Sequence, residues 1–215
     1  MTDADFLTAT RTFYDAVADD YADLFTDEPR PADREALAAY AALVGPGAEV
    51  ADLGCGPGRV TGFLARLGLT MSGLDLSEAM LTIARRENPG IPFQQGSMLH
   101  LEGYADGSLD GVVSWYSSIH TPVEQLPALF AEFHRVLAPG GHLILGFQVG
   151  DEPRHHDRPW GRHPVSLDFQ RRRPEAMAGL LTAAGFTMLS QQVREPDPER
   201  GEQVPQAYLT ARTPS

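Results

Sequence analysis

The chain has 215 residues, of which 42% are hydrophobic, and its 29 acidic against 17 basic residues give a formal net charge of −12. This length and apolar content suit one domain with a full core. A chain this acidic lacks the basic face that DNA or RNA binding needs, so we expect no nucleic-acid partner. All 17 basic residues are arginine, which excludes chemistry that needs a lysine amine.

Cysteine content and hydropathy argue against disulfide-bonded, zinc-finger and membrane proteins. The single cysteine, Cys55, excludes an internal disulfide and a zinc-finger pattern. No apolar run approaches the roughly 20 residues of a membrane span, and the N-terminus lacks a basic-then-apolar signal. We therefore predict a cytoplasmic protein with no membrane partner.

The first 40 residues are acidic and have helical periodicity. Their apolar residues recur every four positions and form one stripe, Phe13, Val17, Tyr21 and Phe25. A second helix is predicted over 34–43. We interpret residues 1–40 as an N-terminal helical lid and residues 41–215 as the main domain, the two together forming one compact unit.

From residue 49 onward, predicted strands alternate with predicted helices. The strands are 49–53, 69–74, 91–94, 109–114, 142–148, 186–193 and 206–211. The helices are 59–67, one capped by Ser77, 124–137 with a stop at Pro139-Gly140-Gly141, and 174–184. Such alternation predicts an α/β fold, a doubly wound parallel sheet with helices on both faces.

The regular alternation is interrupted after Val149. Within the connecting segment 151–168, residues 151–164 are polar and carry His155, His156 and His163. This segment is long for a structureless connection, which favours a functional loop. The run Arg171-Arg172-Arg173 adjoins Pro174 and is interpreted as the solvated start of a helix.

Three glycines follow the first predicted strand, at Gly54, Gly56 and Gly58, and Asp75 ends the next strand. Glycines remove side chains where main chain must touch a ligand, and a carboxylate one strand away can accept both ribose hydroxyls. Dinucleotide binders need a third glycine where this chain has Arg59. The pattern thus predicts a nucleoside pocket, although the glycines would also permit a tight turn and Asp75 would also cap a helix.

The run Gly54-Cys55-Gly56-Pro57-Gly58 resembles motif I of the class I S-adenosylmethionine (SAM)-dependent methyltransferases, and Gly73-Leu74-Asp75-Leu76-Ser77 resembles their ribose-binding strand end. The resemblance covers about 45–212 and implies a Rossmann-like, seven-stranded, mostly parallel sheet with an antiparallel last strand. It implies SAM as cofactor, S-adenosylhomocysteine (SAH) as product, and no metal. The cofactor residues it implies are Tyr14, Tyr21, Gly54, Cys55, Gly56, Gly58, Asp75, Leu76, Gly96, Ser97, Met98 and Trp115.

Two of these assignments have alternatives. Ser97 stands where family members often carry an aspartate that meets the adenine amino group, so that contact is weaker or absent here. Tyr14 and Tyr21 resemble tyrosines that cover SAM and substrate in small-molecule methyltransferases, but they also lie on an ordinary apolar stripe.

The run Trp115-Tyr116-Ser117-Ser118-Ile119-His120 ends the fourth strand of the predicted sheet. If the strand turns into a helix, Tyr116 and His120 share a face and form a proton acceptor competent near neutral pH. Together with His155-His156, the run is similar to actinobacterial small-molecule methyltransferases, some of which methylate carbon 3 of indoles. The similarity implies an aromatic natural product as acceptor, with Tyr116, His120, His155 and His156 as catalytic or substrate-facing residues.

Other interpretations stay open. Trp115 and Tyr116 could pack on the adenine while His120 caps a helix. The acceptor atom could be nitrogen or oxygen, and an NAD-dependent oxidoreductase or a non-catalytic SAM-binding module are rival classes. The spacing of the histidines disfavours a metal site, because no carboxylate or cysteine lies at a matching position. The sequence is silent on oligomeric state.

Overall fold

The structure, a computed structural model, describes residues 3–24 and 29–215. The helices are α1 Asp3–Leu24, α2 Pro31–Val44, α3 Arg59–Arg66, α4 Glu78–Glu87, α5 Leu126–Val136 and α6 Pro174–Ala183. The strands are β1 Glu49–Leu53, β2 Thr70–Asp75, β3 Phe93–Gln95, β4 Leu109–Trp115, β5 Leu137–Gln148, β6 Arg154–Asp157, β7 Ser166–Phe169, β8 Thr187–Arg194 and β9 Gln206–Arg212. Phe25, predicted to continue the stripe on α1, lies outside the described residues.

Seven strands form one sheet in the order β3-β2-β1-β4-β5-β9-β8. Strands β1 to β5 pair in parallel, and β9 runs antiparallel to both β5 and β8. The predicted Rossmann-like sheet with an antiparallel last strand is therefore confirmed. The strand order reverses between β1 and β4, and ligands of open α/β sheets bind beyond the carboxyl ends of the strands at such a point.

Both faces of the sheet are covered by apolar packing. On one side, Phe130 and Phe133 of α5 and Met177 of α6 are fully buried or nearly so. On the other side, Leu37 of α2 and Leu64 of α3 are fully buried. Each such side chain contributes roughly 1.5–3 kcal/mol by burial, which fixes the strands whose ends form the site.

Helix α1 lies across the carboxyl end of the sheet. Its Phe13 and Val17 pack in one buried cluster with Met80 of α4 and Leu167 of β7. Asp15 accepts a hydrogen bond from Ser77 Oγ at 2.6 Å, next to the end of β2. The predicted helical cover is thus held over the strand ends by both apolar and polar contacts.

The division predicted at residue 40 has no counterpart in the structure. Residue 40 lies inside α2, and Tyr40 is buried with its hydroxyl 3.2 and 3.1 Å from the main-chain oxygens of Val112 and His142. Helix α2 therefore belongs to the layer packed on the sheet, and α1 is the part of the N-terminal segment that forms the cover.

The functional loop predicted over 151–168 contains two short strands. Strands β6 and β7 form an antiparallel hairpin in which Arg154 pairs with Phe169 and His156 with Leu167. The polar sequence concealed β6, because only alternate residues of this short strand face the interior. The hairpin is anchored by Leu167, which packs under α1.

The Pro-Gly-Gly stop signal was also misplaced. Helix α5 ends at Val136, and β5 begins at once with Leu137. Pro139-Gly140-Gly141 lies within β5, where the pairing with β4 shifts register between Leu109 and Gly111. The glycines accommodate an irregularity in the strand and do not separate the helix from it.

Candidate cofactor and acceptor site

A cavity of about 510 Å³ lies at the carboxyl ends of the strands, within the size range of ligand sites. Helix α1 and the β6–β7 hairpin form its outer walls. Of the predicted site residues, those that line it are Tyr14, Tyr21, Gly54, Cys55, Gly56, Asp75, Leu76, Gly96, Ser97, Met98, Trp115, Tyr116, His120 and His156. Gly58 and His155 are not among its lining residues.

The three glycines of the turn after β1 have positive φ values but different surroundings. A Cβ on Gly54 would lie 2.3 Å from Cβ of Ser117, and one on Gly58 would lie 2.8 Å from Nδ2 of Asn88. A Cβ on Gly56 would meet no atom within 4 Å. Gly54 and Gly58 are thus required by packing, whereas Gly56 leaves its bare main chain open to the cavity. Gly58 does not line the cavity, and its contact with the ligand stays a prediction.

Asp75 lies at the end of β2, and main-chain amides hold both of its carboxylate oxygens. Gly56 N–H donates to Oδ2 at 2.8 Å, and Ser77 N–H donates to Oδ1 at 2.9 Å. Burial raises the pKa of the Asp75 carboxyl, and these amide donors act against the rise. A carboxylate has about four acceptor positions, so the amides leave room for a hydrogen bond from a ribose hydroxyl. The open turn at Gly56 and the fixed carboxylate fit the nucleoside end of SAM.

Ser77 is the cap of α4, as predicted, because its Oγ accepts from Met80 N–H at 3.1 Å. That arrangement leaves Asp75 for the cavity. Nearby, Ser97 Oγ accepts from Leu99 N–H at 3.2 Å, so the serine in the family's aspartate position stabilises its own turn. Gly96 N–H donates to the main-chain oxygen of Asp75 at 2.9 Å and ties the two strand ends together.

Two further cofactor candidates are packed mainly against protein. Burial raises the pKa of the Cys55 thiol well above its ordinary value, so the sulfur stays protonated. Trp115 is buried and stacks on Tyr208, with ring centroids 5.0 Å apart. Its indole Nε1 has no hydrogen-bond partner within the described residues. Both side chains line the cavity from its floor.

The cavity also contains a tyrosine–histidine pair. Tyr14 Oη on α1 lies 2.8 Å from Nε2 of His120, which follows β4. Burial lowers the pKa of His120 to about 4, although the Asp168 main chain acts in the opposite direction. Burial also raises the pKa of Tyr14 well above 10. At neutral pH the pair is a neutral phenol beside a neutral imidazole.

The predicted pairing of Tyr116 with His120 is wrong. Tyr116 has φ of 55°, so β4 does not continue into a helix, and only 118–120 form a short 3₁₀ turn. The Tyr116 ring contacts Trp115, and its hydroxyl interacts with Tyr208 and not with the imidazole. A non-glycine residue at positive φ is uncommon and marks strain held by the surrounding structure.

The two adjacent histidines of β6 face opposite sides. His156 lines the cavity, with its ring 4.5 Å from the ring of Phe169, and Phe169 in turn lies 4.7 Å from His120. His155 is exposed, with Nδ1 2.7 Å from Oδ1 of Asp168 on the outer face. Side chains alternate along a strand, so the predicted substrate-facing role of His155 is wrong, whereas His156 is inside.

The arginine run was interpreted as solvated, which holds only for Arg173. That residue is exposed and pairs with Asp151 at 2.6 Å. Arg172 is partly buried and donates to the main-chain oxygen of Thr121 at 2.9 Å, and burial lowers its pKa. Arg171 lines the cavity.

Sequence reasoning missed Asp52, an acidic residue near the end of β1. Asp52 is 1% exposed and accepts a 2.6 Å hydrogen bond from Thr61 Oγ. Burial raises the pKa of its carboxyl to about 7. The signal was available, because an acid flanked by apolar residues near the end of a buried strand is unusual.

A buried polar network beside Tyr116 was also missed. Tyr208 hydrogen-bonds Asp33 of α2 and accepts from Arg194 Nε at 2.7 Å. Arg194 also pairs with Glu202 at 2.5 Å, and Glu202 pairs with Arg30. These residues are far apart in sequence, so no local pattern connects them. The network closes the wall of the cavity between α2 and β9.

The described residues contain neither a cluster of metal ligands nor a helix suited to span a membrane. No group of three or more His, Cys, Asp or Glu in the described part of the chain is arranged to hold a metal ion. None of the helices in 3–24 and 29–215 combines the length and apolar content needed to cross a membrane.

Comparison with known proteins agrees with this geometry. Residues 50–141 match the family model described as methyltransferase domain. The trans-aconitate 2-methyltransferase of Methylobacterium nodulans is 36% identical over 181 residues, which cover 76% of this chain and 66% of the relative. The chain belongs to the class I SAM-dependent methyltransferases. Other curated relatives are matched over less of their length, since this chain spans about half of two that are 32% and 36% identical to it.

Two solved structures share the fold of this chain. The 1,6-didemethyltoxoflavin-N1-methyltransferase of Burkholderia thailandensis, bound to 1,6-didemethyltoxoflavin and SAH, has a TM-score of 0.77 at 23% identity and covers 100% of this chain and 92% of its own. The magnesium protoporphyrin IX methyltransferase of Synechocystis with bound SAM has a TM-score of 0.71 at 20% identity. The match covers 99% of this chain and 100% of that one. At these identities the likeness shows the fold.

Proposed function

We propose that the chain transfers the methyl group of SAM to a small, aromatic natural product. The observation that carries this proposal is one continuous cavity. It joins the open main chain of Gly56 and the carboxylate of Asp75 to an aromatic wall that includes Phe169. The cavity is closed from above by α1, which suits a small molecule better than a protein or nucleic-acid chain.

The two halves of the cavity have different tasks in this proposal. Asp75 binds the ribose hydroxyls, Leu76 packs on the adenine, and Gly56 admits the methionine portion. SAM supplies an activated methyl group whose transfer releases a neutral thioether. The protein therefore needs to align the acceptor, exclude water and, where the acceptor requires it, take up a proton.

The proton acceptor in this proposal is the Tyr14–His120 pair, which replaces the Tyr116–His120 pair predicted from the sequence. His120 is neutral at pH 7, so its nitrogen can accept a proton without first losing one. Its low pKa makes it a weak base, and it suits an acceptor whose proton becomes acidic as the methyl group is attached. The nitrogen-bound proton of an indole attacked at carbon 3 has this property, which supports indole C-methylation as the specific reaction.

Methylation at nitrogen is the second candidate. It is favoured by the fold neighbour named as an N1-methyltransferase, whose structure holds its small-molecule substrate. The Tyr14–His120 pair would serve this reaction as well, by removing a proton from the attacking nitrogen. We place either reaction in the cytoplasm, with no metal and no nucleic-acid partner.

A mass-spectrometric screen tests the proposal. Purified protein is incubated with methyl-labelled SAM and with indole, phenol and amine acceptors, and the expected product is an aromatic acceptor that has gained one labelled methyl group. Thermal shifts are recorded in parallel with SAH and with NAD. Stabilisation by NAD and not by SAH would overturn the cofactor assignment, and the absence of any methylated aromatic product would overturn the acceptor class.

A further inference from the structure

The acceptor half of the cavity contains two arginines, Arg154 and Arg171, that the proposed methyl transfer does not use. Neither guanidinium forms an ion pair with any carboxylate in the described part of the chain. The Nε atom of Arg171 is buried and has no hydrogen-bond partner among the described residues. A buried donor without a partner is costly, which indicates that a ligand completes this site.

The strand register explains why both groups face inward. Arg154 and His156 occupy alternate positions of β6, so they share the inner face of the hairpin, and His156 lines the cavity. Burial is the main cause of the lowered pKa of His156, and the charges of both arginines lower it further, so all three groups lie near one another. Arg171 is further fixed by Gly150, where a Cβ would lie 3.0 Å from the arginine Cδ.

An amide extends the same site. Gln148, the last residue of β5, lines the cavity, and its side-chain Oε1 is buried without a partner in the described residues. The two side-chain amide atoms of glutamine are distinguished only by their partners, so this group is able to present N–H to a ligand. Arg171 and Gln148 thus both line the cavity as incompletely satisfied polar groups.

The overall charge of the chain makes unpaired arginines informative. With 29 acidic and 17 basic residues, acidic partners are in excess. Exposed Arg162 and Arg173 are each paired, with Asp20 and Asp151. A pair of arginines kept free of carboxylates inside a cavity indicates that the positive potential is used for a ligand.

This positive region lies apart from the cofactor half. The glycine turn follows β1 and Asp75 ends β2, whereas Gln148 ends β5, on the other side of β4. The arginines therefore face the acceptor and not the ribose end of the cofactor.

We propose that Arg171 and Arg154, with Gln148, bind a carboxylate of the acceptor and hold its aromatic part against Phe169 and the Tyr14–His120 pair. This inference rests on the proposed function. Arginine suits the role, because its planar guanidinium donates two parallel hydrogen bonds to a carboxylate. The acceptor is accordingly an aromatic acid.

The test uses two matched pairs of probes, indole-3-acetate with indole-3-acetamide and benzoate with benzamide. Their binding to the protein saturated with SAH is measured by calorimetry. The variants are Arg171→Gln and Arg154→Gln. The control is Arg158→Gln, which changes an exposed arginine at the tip of the same hairpin that does not line the cavity. SAH affinity is measured for every variant.

For the wild type we expect each carboxylate to bind about tenfold or more tighter than its amide, as a charge-assisted hydrogen bond predicts. Arg171→Gln should remove this preference, Arg154→Gln should reduce it, and Arg158→Gln should leave it unchanged. SAH affinity should stay the same throughout.

Three results would overturn the inference. The first is equal affinity for acid and amide in the wild type, and the second is the absence of any carboxylate binding. The third is a loss of SAH affinity in Arg171→Gln, which would assign the arginine to the cofactor. Failure of the wild type to bind SAH at all would instead refute the proposed function, so the two failures are distinguishable.

Discussion

The two halves of the cavity are built in different ways. The cofactor half depends on main chain, because Gly56 offers bare backbone and Asp75 is held by amides of Gly56 and Ser77. The acceptor half depends on side chains that meet only in the folded protein, and Tyr14 and His120 are 106 residues apart in sequence. A site made by a turn at a strand end is thus visible in local sequence, whereas a site made by long-range packing is visible only in the structure.

The difference between the halves predicts which variants change the reaction rate and which change cofactor affinity. His120→Phe keeps a ring against Phe169 but removes the nitrogen. We expect turnover to fall roughly 10²–10⁴-fold, the usual contribution of a general base. SAH affinity, measured by calorimetry, should be unchanged. Turnover near the wild-type value would remove His120 from proton transfer.

Asp75→Ala should have the next largest effect, and this effect should be on the affinity for SAH. Loss of charge-assisted hydrogen bonding to ribose should weaken SAH binding roughly 100-fold. Glu152→Ala, which removes an exposed carboxylate outside the cavity lining, is the matched control. Near-native affinity in Asp75→Ala would contradict the nucleoside pocket.

The third prediction concerns Asp52, a buried carboxyl in β1, and the pH dependence of the protein's stability. Its carboxyl has a pKa of about 7 in the folded protein, against roughly 3.9 when unfolded. Between these values the folded state retains a proton that the unfolded state has released, so stability falls as the pH rises from about 4 to about 7. Asp52→Asn removes this loss and should raise the melting temperature at pH 8 by roughly 3–8 °C.

Scanning calorimetry across pH checks this prediction. The advantage of Asp52→Asn should shrink as the pH falls from about 7 to about 4 and vanish below that, where wild-type Asp52 is protonated in both states. If the melting temperatures of Asp52→Asn and wild type instead differ by the same amount at every pH, Asp52 is ionised in the folded protein as it is in the unfolded one.

The smallest effects should separate the two adjacent histidines of the hairpin. His155→Ala, on the outer face, should change kcat/KM for the acceptor by less than about twofold, as is usual for surface positions. His156→Ala, on the inner face, should lower it about tenfold through lost contact with the acceptor. Equal effects from both variants would contradict the orientation of β6 in the structure.

Much of the cofactor half was predictable from the sequence for a physical reason. An apolar strand that ends in glycines, followed by an acid at the end of the next strand, defines main-chain geometry over a short stretch. The sheet order, the antiparallel β9 and the cap at Ser77 agree with this reading. Gly58 was assigned to the ligand because sequence alone does not reveal that Asn88 packs against it.

For the acceptor half, the sequence predicted several of the residues that line the cavity but not how they are paired or oriented. Tyr116 and His120 were paired on helical spacing, and the positive φ of Tyr116 breaks that spacing. His155 and His156 were treated alike, although a two-residue alternation separates them once 154–157 is a strand. The inward position of Arg171 had no local signal, because it results from packing against Gly150 and the end of β5.

The most direct test of the account is a crystal structure of the protein with SAH and a methylated or unmethylated aromatic acceptor. The account predicts that the ribose hydroxyls bind Asp75, that the methionine portion crosses Gly56, and that the sulfur faces an acceptor ring held between Phe169 and the Tyr14–His120 pair. An empty crevice between Gly56 and Asp75, or a sulfur directed away from that pair, would contradict it.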